Sequence, residues 1–180
     1  MTSSVGTAVS ADGIPVCYEV RGGGAPALVF VHGWSCDRRY WNAQVDYFAD
    51  RHQVVAIDLA GHGESGLGRT AWTMPCFGAD VVAVVKQLGL RAPPEVALDA
   101  IKYAVANEPA AVAGLRDATV PVVAINPDDR PSDVESFERH GVKVVLMSGV
   151  GHFLMMEDPV SFNRTLGETI ERLEADQRRS

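Results

Sequence analysis

The stretch Ala27-Leu28-Val29-Phe30-Val31-His32-Gly33-Trp34 decides the fold class. Five apolar residues in a row, bounded by Gly22–Gly24 upstream and Gly33 downstream, form a segment too short for a helix core. They suit a strand buried on both faces. Outward from it, Thr7–Ser10, Pro15–Arg21 and Gln53–Leu59 read as further strands, with turns at Asp12-Gly13 and Gly22–Gly24. Tyr40–Asp50 and Ala79–Leu88 carry the i, i+3, i+4 apolar spacing of amphipathic helices, and Gly89 suits the C-terminal end of the second.

Past Leu90 the pattern changes at Arg91-Ala92-Pro93-Pro94. The apolar spacing predicts a helix over Val96–Leu115, with Pro94 at its start and a break near Pro109. Val120–Asn126 and Val142–Met147 read as strands, Asp133–Arg139 as a short helix, and Asp158-Pro159 as the start of a terminal helix reaching Ala175. Alternating β and α elements imply an α/β fold, a mostly parallel sheet flanked by helices. One domain over 1–180 is expected, with halves 1–90 and 91–180.

Composition narrows the function classes. A formal net charge of −7 over 180 residues disfavours a general nucleic-acid binder, which needs clustered Lys and Arg to displace counterions. Cys17, Cys36 and Cys76 form an odd, scattered set, as in a reducing, cytoplasmic setting. No signal-peptide pattern opens the chain, and no apolar run approaches the roughly 20 residues of a membrane helix. A soluble protein with neither nucleic-acid nor membrane partners is expected.

Three blocks carry the chemistry, each following a strand: Val31-His32-Gly33-Trp34; Asp58-Leu59-Ala60-Gly61-His62-Gly63-Glu64-Ser65; and Gly149-Val150-Gly151-His152-Phe153 with Glu157-Asp158-Pro159. In this order they resemble the α/β-hydrolase superfamily of esterases, lactonases and related enzymes, over Val5–Leu90 and again Pro94–Leu173. The resemblance implies that Gly33 and Trp34 belong to a loop whose backbone N–H groups stabilise a developing oxyanion. It implies that His152 is the catalytic histidine and that the acid follows the Val120–Asn126 strand. Asp128 and Asp129 both stand there, with Asp128 preferred.

One family element is missing. The G-x-S-x-G elbow that presents the nucleophilic serine occurs nowhere in the chain. Gly63-Glu64-Ser65-Gly66 fails at its fifth position, and Ser35 lies on the oxyanion loop. Leu88-Gly89-Leu90 runs straight into Arg91-Ala92-Pro93-Pro94, as though the elbow strand, its helix, the next strand and the cap had been removed. Sheet edges left open by that loss predict a homodimer, with exchanged elements as one route.

Water must then replace the serine. His32, His62 and His152 all follow strands, and three imidazoles with one open position suit a divalent transition metal such as Zn²⁺. Such a metal would make a hydroxide near neutral pH, with Asp58 or Asp128 orienting a ligand. Ordinary metal-free relatives carry His32 and His62 as loop supports, which is the competing explanation. Cys36 and Cys76 are substitute nucleophiles only if something depresses their pKa. The expected function is hydrolysis of activated carboxylic or phosphoric esters by metal-activated water. The alternatives are a metal-free esterase using His152 and Asp128, and an inactive dimeric interaction module.

Overall fold

The computed structural model describes residues 3–90, 97–98, 121–129 and 134–179, in two compact units, Met1–Ala92 and Pro93–Ser180. In the first unit β1 (Ser3–Val9), β2 (Pro15–Arg21), β3 (Leu28–Val31) and β4 (Val54–Ile57) form a sheet of order β1-β2-β4-β3. β3 and β4 are parallel, while β1 with β2 and β2 with β4 are antiparallel. The sheet is therefore mixed on this side. β1 starts earlier than the apolar pattern suggests, because all seven of its residues pair with β2 although Ser3, Ser4 and Gly6 are poor strand formers.

Strand alternation divides the core of this unit into two layers. Val55 and Ile57 point to one face, against Val16, Tyr18 and Val84 of helix α2 (Met74–Gln87). On the other face Phe30 stacks on Trp41 at 5.0 Å and meets Phe48 of helix α1 (Asn42–Phe48) at 6.4 Å. Trp41 ends a short 3₁₀ helix, Arg38–Trp41, where sequence periodicity alone extends α1 to Tyr40. Asp37 explains that turn, its carboxylate accepting the Arg39 N–H at 2.9 Å. α2 likewise begins five residues before the expected Ala79. Thr73 caps it and Pro75 occupies its first turn, and Gly78 hides the continuity of the pattern.

The second unit holds a parallel sheet of order β5-β6-β7: β5 (Ala97–Leu98), β6 (Val122–Pro127) and β7 (Val142–Met147). Ala97–Leu98 is strand where the apolar spacing predicts helix. The remainder of the expected Val96–Leu115 helix lies outside the described residues. Val122, Ala124 and Val142 form the core of this sheet, with Phe137 of α3 (Val134–Arg139) against them. Two helices follow β7, α4 (Leu154–Glu157) and α5 (Pro159–Gln177). Phe162, Leu166, Ile170 and Leu173 make the buried stripe of α5 at helical spacing. No helix among the described residues is long and apolar enough to cross a membrane.

A buried ion pair fixes the first unit. Asp80 of α2, with no exposed surface, accepts from the Arg69 guanidinium and from Ser10 Oγ at 2.6 Å, and Arg69 also reaches Asp12. These contacts tie the loop before α2 to the end of β1. Arg69→Met strands a fully buried carboxylate and should cost about 3–5 kcal/mol in denaturant unfolding. Adding Asp80→Asn should recover much of it, whereas a loss below about 1 kcal/mol for Arg69→Met would show the pair to be dispensable.

Candidate functional site

β3 and β4 run parallel with Val31 opposite Ile57, so the loops after them leave the same end of the sheet. Asp58 follows β4 and is entirely buried. It accepts the Arg38 N–H at 2.7 Å, the Arg38 guanidinium, and the Glu64 N–H at 3.0 Å. Its own backbone carbonyl takes Ser65 Oγ at 2.6 Å. Gly63, at φ +52°, must be glycine, since a Cβ there would sit 2.3 Å from the Asp58 carboxylate. Asp58 thus holds the 3₁₀ turn and the 58–65 loop to each other.

His32 is 1% exposed and lies between the same loops. Its Nδ1 donates to the Gly33 carbonyl at 2.7 Å and its Nε2 accepts the Leu59 N–H at 3.0 Å. Carbonyls only accept and amides only donate, so these partners fix the neutral Nδ1–H tautomer. Burial pushes the His32 pKa below its usual 6.5. His62, 5.0 Å away ring to ring, repeats the arrangement. Its Nδ1 donates to the Ala60 carbonyl at 3.1 Å and its Nε2 accepts the Ser35 N–H at 3.2 Å.

Those partners bear directly on the metal centre expected from His32, His62 and His152. A metal binds an imidazole lone pair. In His32 and His62 that lone pair already accepts a backbone N–H, so a metal would have to displace Leu59 from one ring and Ser35 from the other. A different trio, Cys17, Asp58 and Glu64, has its ligand atoms within 4.8 Å. The Arg38 guanidinium already neutralises both carboxylates there, and burial raises the Cys17 thiol pKa. Burial likewise raises the Cys36 thiol, opposite to what a nucleophile needs. Cys76 Sγ lies 3.1 Å from Thr73 Oγ1, inside the cap of α2.

The loop carrying Gly33 and Trp34 keeps backbone donors available. Among the described residues, neither the Gly33 nor the Trp34 N–H has an acceptor. Ser35 then turns the chain at φ +60°, a conformation a non-glycine residue adopts at a cost. Trp34 is 66% exposed and stands edge-on to His62 at 5.5 Å and to Phe77 at 6.1 Å.

The second unit carries the other two residues. Pro127 and Met147 are opposite each other at the ends of β6 and β7, and the Asp128 N–H donates to the Met147 carbonyl at 3.0 Å. Asp128 and Asp129 are exposed at that end. The loop after β7 turns at Gly149 and presents His152, exposed, with Phe153 4.8 Å from its ring. Glu157, from the end of α4, reaches back to this loop. Its carboxylate accepts the Gly151 N–H at 2.6 Å and the Phe153 N–H at 3.1 Å. The structure therefore groups His32 with His62 in one unit, and Asp128 with His152 at one sheet end in the other.

Known proteins match this pattern. Residues 28–98 match the model of the alpha/beta hydrolase family. A bifunctional esterase/perhydrolase from Acinetobacter calcoaceticus is 33% identical over 142 residues, covering 72% of this chain and 51% of that protein. The chain belongs to the α/β-hydrolase superfamily. A dihydrolipoyllysine-residue acetyltransferase component of an acetoin cleaving system from Cupriavidus necator is 37% identical over 81 residues, 45% of this chain and 22% of its own. Among solved structures, a haloalkane dehalogenase variant from Bradyrhizobium elkanii superposes with a TM-score of 0.75 at 14% identity, over 98% of this chain and 99% of its own. The chain spans about half the length of the first of these relatives and about a fifth of the second.

Sequence reasoning passed over Arg38, Arg69 and the reach of Glu157. Only Glu157 left a signal, an acidic residue four positions after Phe153 where a short helix would start. The state of His32 makes a pH prediction. The unfolded imidazole charges below about 6.5 while the buried ring resists protonation, so the unfolded state takes up more protons there. Stability from this group is complete above 6.5 and falls as pH drops from there toward the lower folded value. Unfolding midpoints should therefore decline on acidification from pH 7 to 5, with a shallower decline in His32→Gln. Equal slopes in both proteins would contradict it.

Proposed function

We propose that the chain hydrolyses activated carboxylic or phosphoric esters by direct attack of water, with His152 as the general base. The observation that carries this reading is that Asp128 and His152 follow adjacent parallel strands whose last residues, Pro127 and Met147, face each other. Asp128 fixes the imidazole with Nε2 unprotonated, His152 removes a proton from water, and the new hydroxide attacks the carbonyl or phosphoryl centre. The leaving alcohol receives the proton, which restores the histidine. For Gly33 and Trp34 the family resemblance implies an oxyanion role, and among the described residues their N–H groups have no acceptor. Relatives named as esterases support an ester as substrate.

In another form of this chemistry His32, His62 and His152 would hold a divalent metal, which would supply an activated water. That form requires the first two rings to give up their present amide partners. One experiment separates the forms: turnover of 4-nitrophenyl acetate and of a 4-nitrophenyl phosphotriester, before and after chelation. The expected result is turnover indifferent to chelator and lowered about a hundredfold or more by His152→Ala. Asp128→Asn should lower it too. Loss on chelation, with recovery on adding Zn²⁺, would favour the metal form. No turnover at any pH would make the chain an interaction module instead.

We also propose a homodimer formed through β3. That strand ends its sheet, and among the described residues no strand pairs with its outer edge. Sedimentation velocity should give twice the mass of one chain, and a concentration-independent monomer would rule the dimer out.

A further inference from the structure

The loop that presents His152 is short and rich in glycine. His152 is exposed, Gly149 and Gly151 flank Val150, and α4 is a single turn. Val150 and Leu154 are buried on either side and anchor the two ends. Between those anchors, the N–H groups of Gly151 and Phe153 need acceptors. Phe153 is the N-cap of α4, and its side chain offers no cap hydrogen bond. Glu157 fills that place from within the turn, one carboxylate oxygen on each N–H. The same carboxylate therefore brackets residue 152 on both sides. A Cβ at position 151 would lie 3.2 Å from Glu157 Oε1, so glycine there leaves the carboxylate its room.

We infer that Glu157 is the positioning residue of the site: its carboxylate, bonded to the amides on both sides of His152, holds that residue where its imidazole can meet water. The inference rests on the reading of His152 as the base. The Gly151 and Phe153 N–H groups belong to the Val150–Gly151 and His152–Phe153 peptides, so charge-assisted bonds to both fix a peptide plane at each end of the Gly151–His152 segment and limit its rotation. Glu157 takes no proton from substrate or water and acts only through the loop. An error of about 1 Å in placing a general base can cost on the order of a hundredfold in rate.

The test combines Glu157→Ala and Glu157→Gln with kinetics on 4-nitrophenyl acetate and amide hydrogen exchange read residue by residue. In Glu157→Ala the Gly151 and Phe153 amides should exchange faster, and kcat should fall about ten- to a hundredfold. KM should hold within about a factor of two, because ester binding does not use the carboxylate. Glu157→Gln keeps one acceptor oxygen and should restore part of both readouts, which also covers the case in which the alanine variant folds poorly. Unchanged exchange at both amides would overturn the brace. Faster exchange with unchanged kcat, in a protein that His152→Ala inactivates, would overturn its role in positioning. If His152→Ala keeps full turnover, the catalytic reading itself fails, and amide exchange alone decides whether Glu157 fixes the loop.

Discussion

A carboxylate with no exposed surface must find its counter-charge and its donors within the protein, and Asp58 finds them in two loops at once. Arg38 comes from the turn after β3, and the Glu64 N–H from the loop after β4. Joined through Asp58 they form one end of the sheet, on which His32 and His62 are set. The second ion pair, Arg69 with Asp80, does the same for the segment leading into α2. Charge pairing thus ties together segments of the first unit that are far apart along the chain.

That constraint divides the histidines by role. His32 and His62 sit in register beside each other and look like two-thirds of a metal site when only their positions along the chain are considered. Each is instead a bridge, one ring nitrogen donating to a carbonyl and the other accepting an amide from the neighbouring loop. Their chemistry goes into keeping the loops closed and leaving the Gly33 and Trp34 N–H groups free. His152 has no such burial, and its loop is held by a carboxylate acting on its neighbours instead.

Much of this was readable in the residues and some was not. Val142–Met147 and Pro15–Arg21 coincide with their strands, because apolar runs bounded by glycine and charge have one reading. The three strand-end blocks gave the superfamily, and the resemblance set Asp128 and His152 after two strands that the structure pairs with each other. The 3₁₀ turn before α1 and the start of α2 escaped because a cap, not periodicity, sets them: Asp37 and Thr73 begin these turns ahead of the apolar spacing. Ala97–Leu98 shows the opposite error, an apolar run long enough to suggest a helix where pairing with β6 decides. The Nε2 partners of His32 and His62 are backbone amides 27 residues away, which no spacing rule along the chain encodes.

His32 and His62 commit their Nε2 lone pairs to backbone amides, which leaves neither ring ready for a metal. Long-range ¹H–¹⁵N spectra of the imidazole rings, recorded while Zn²⁺ is added to one equivalent, test it most directly. The account predicts that His32 and His62 are both neutral Nδ1–H tautomers whose Nε2 signals do not move. A stoichiometric shift of either Nε2 signal on metal addition would contradict it, because that lone pair would then belong to a metal rather than to the Leu59 or Ser35 amide.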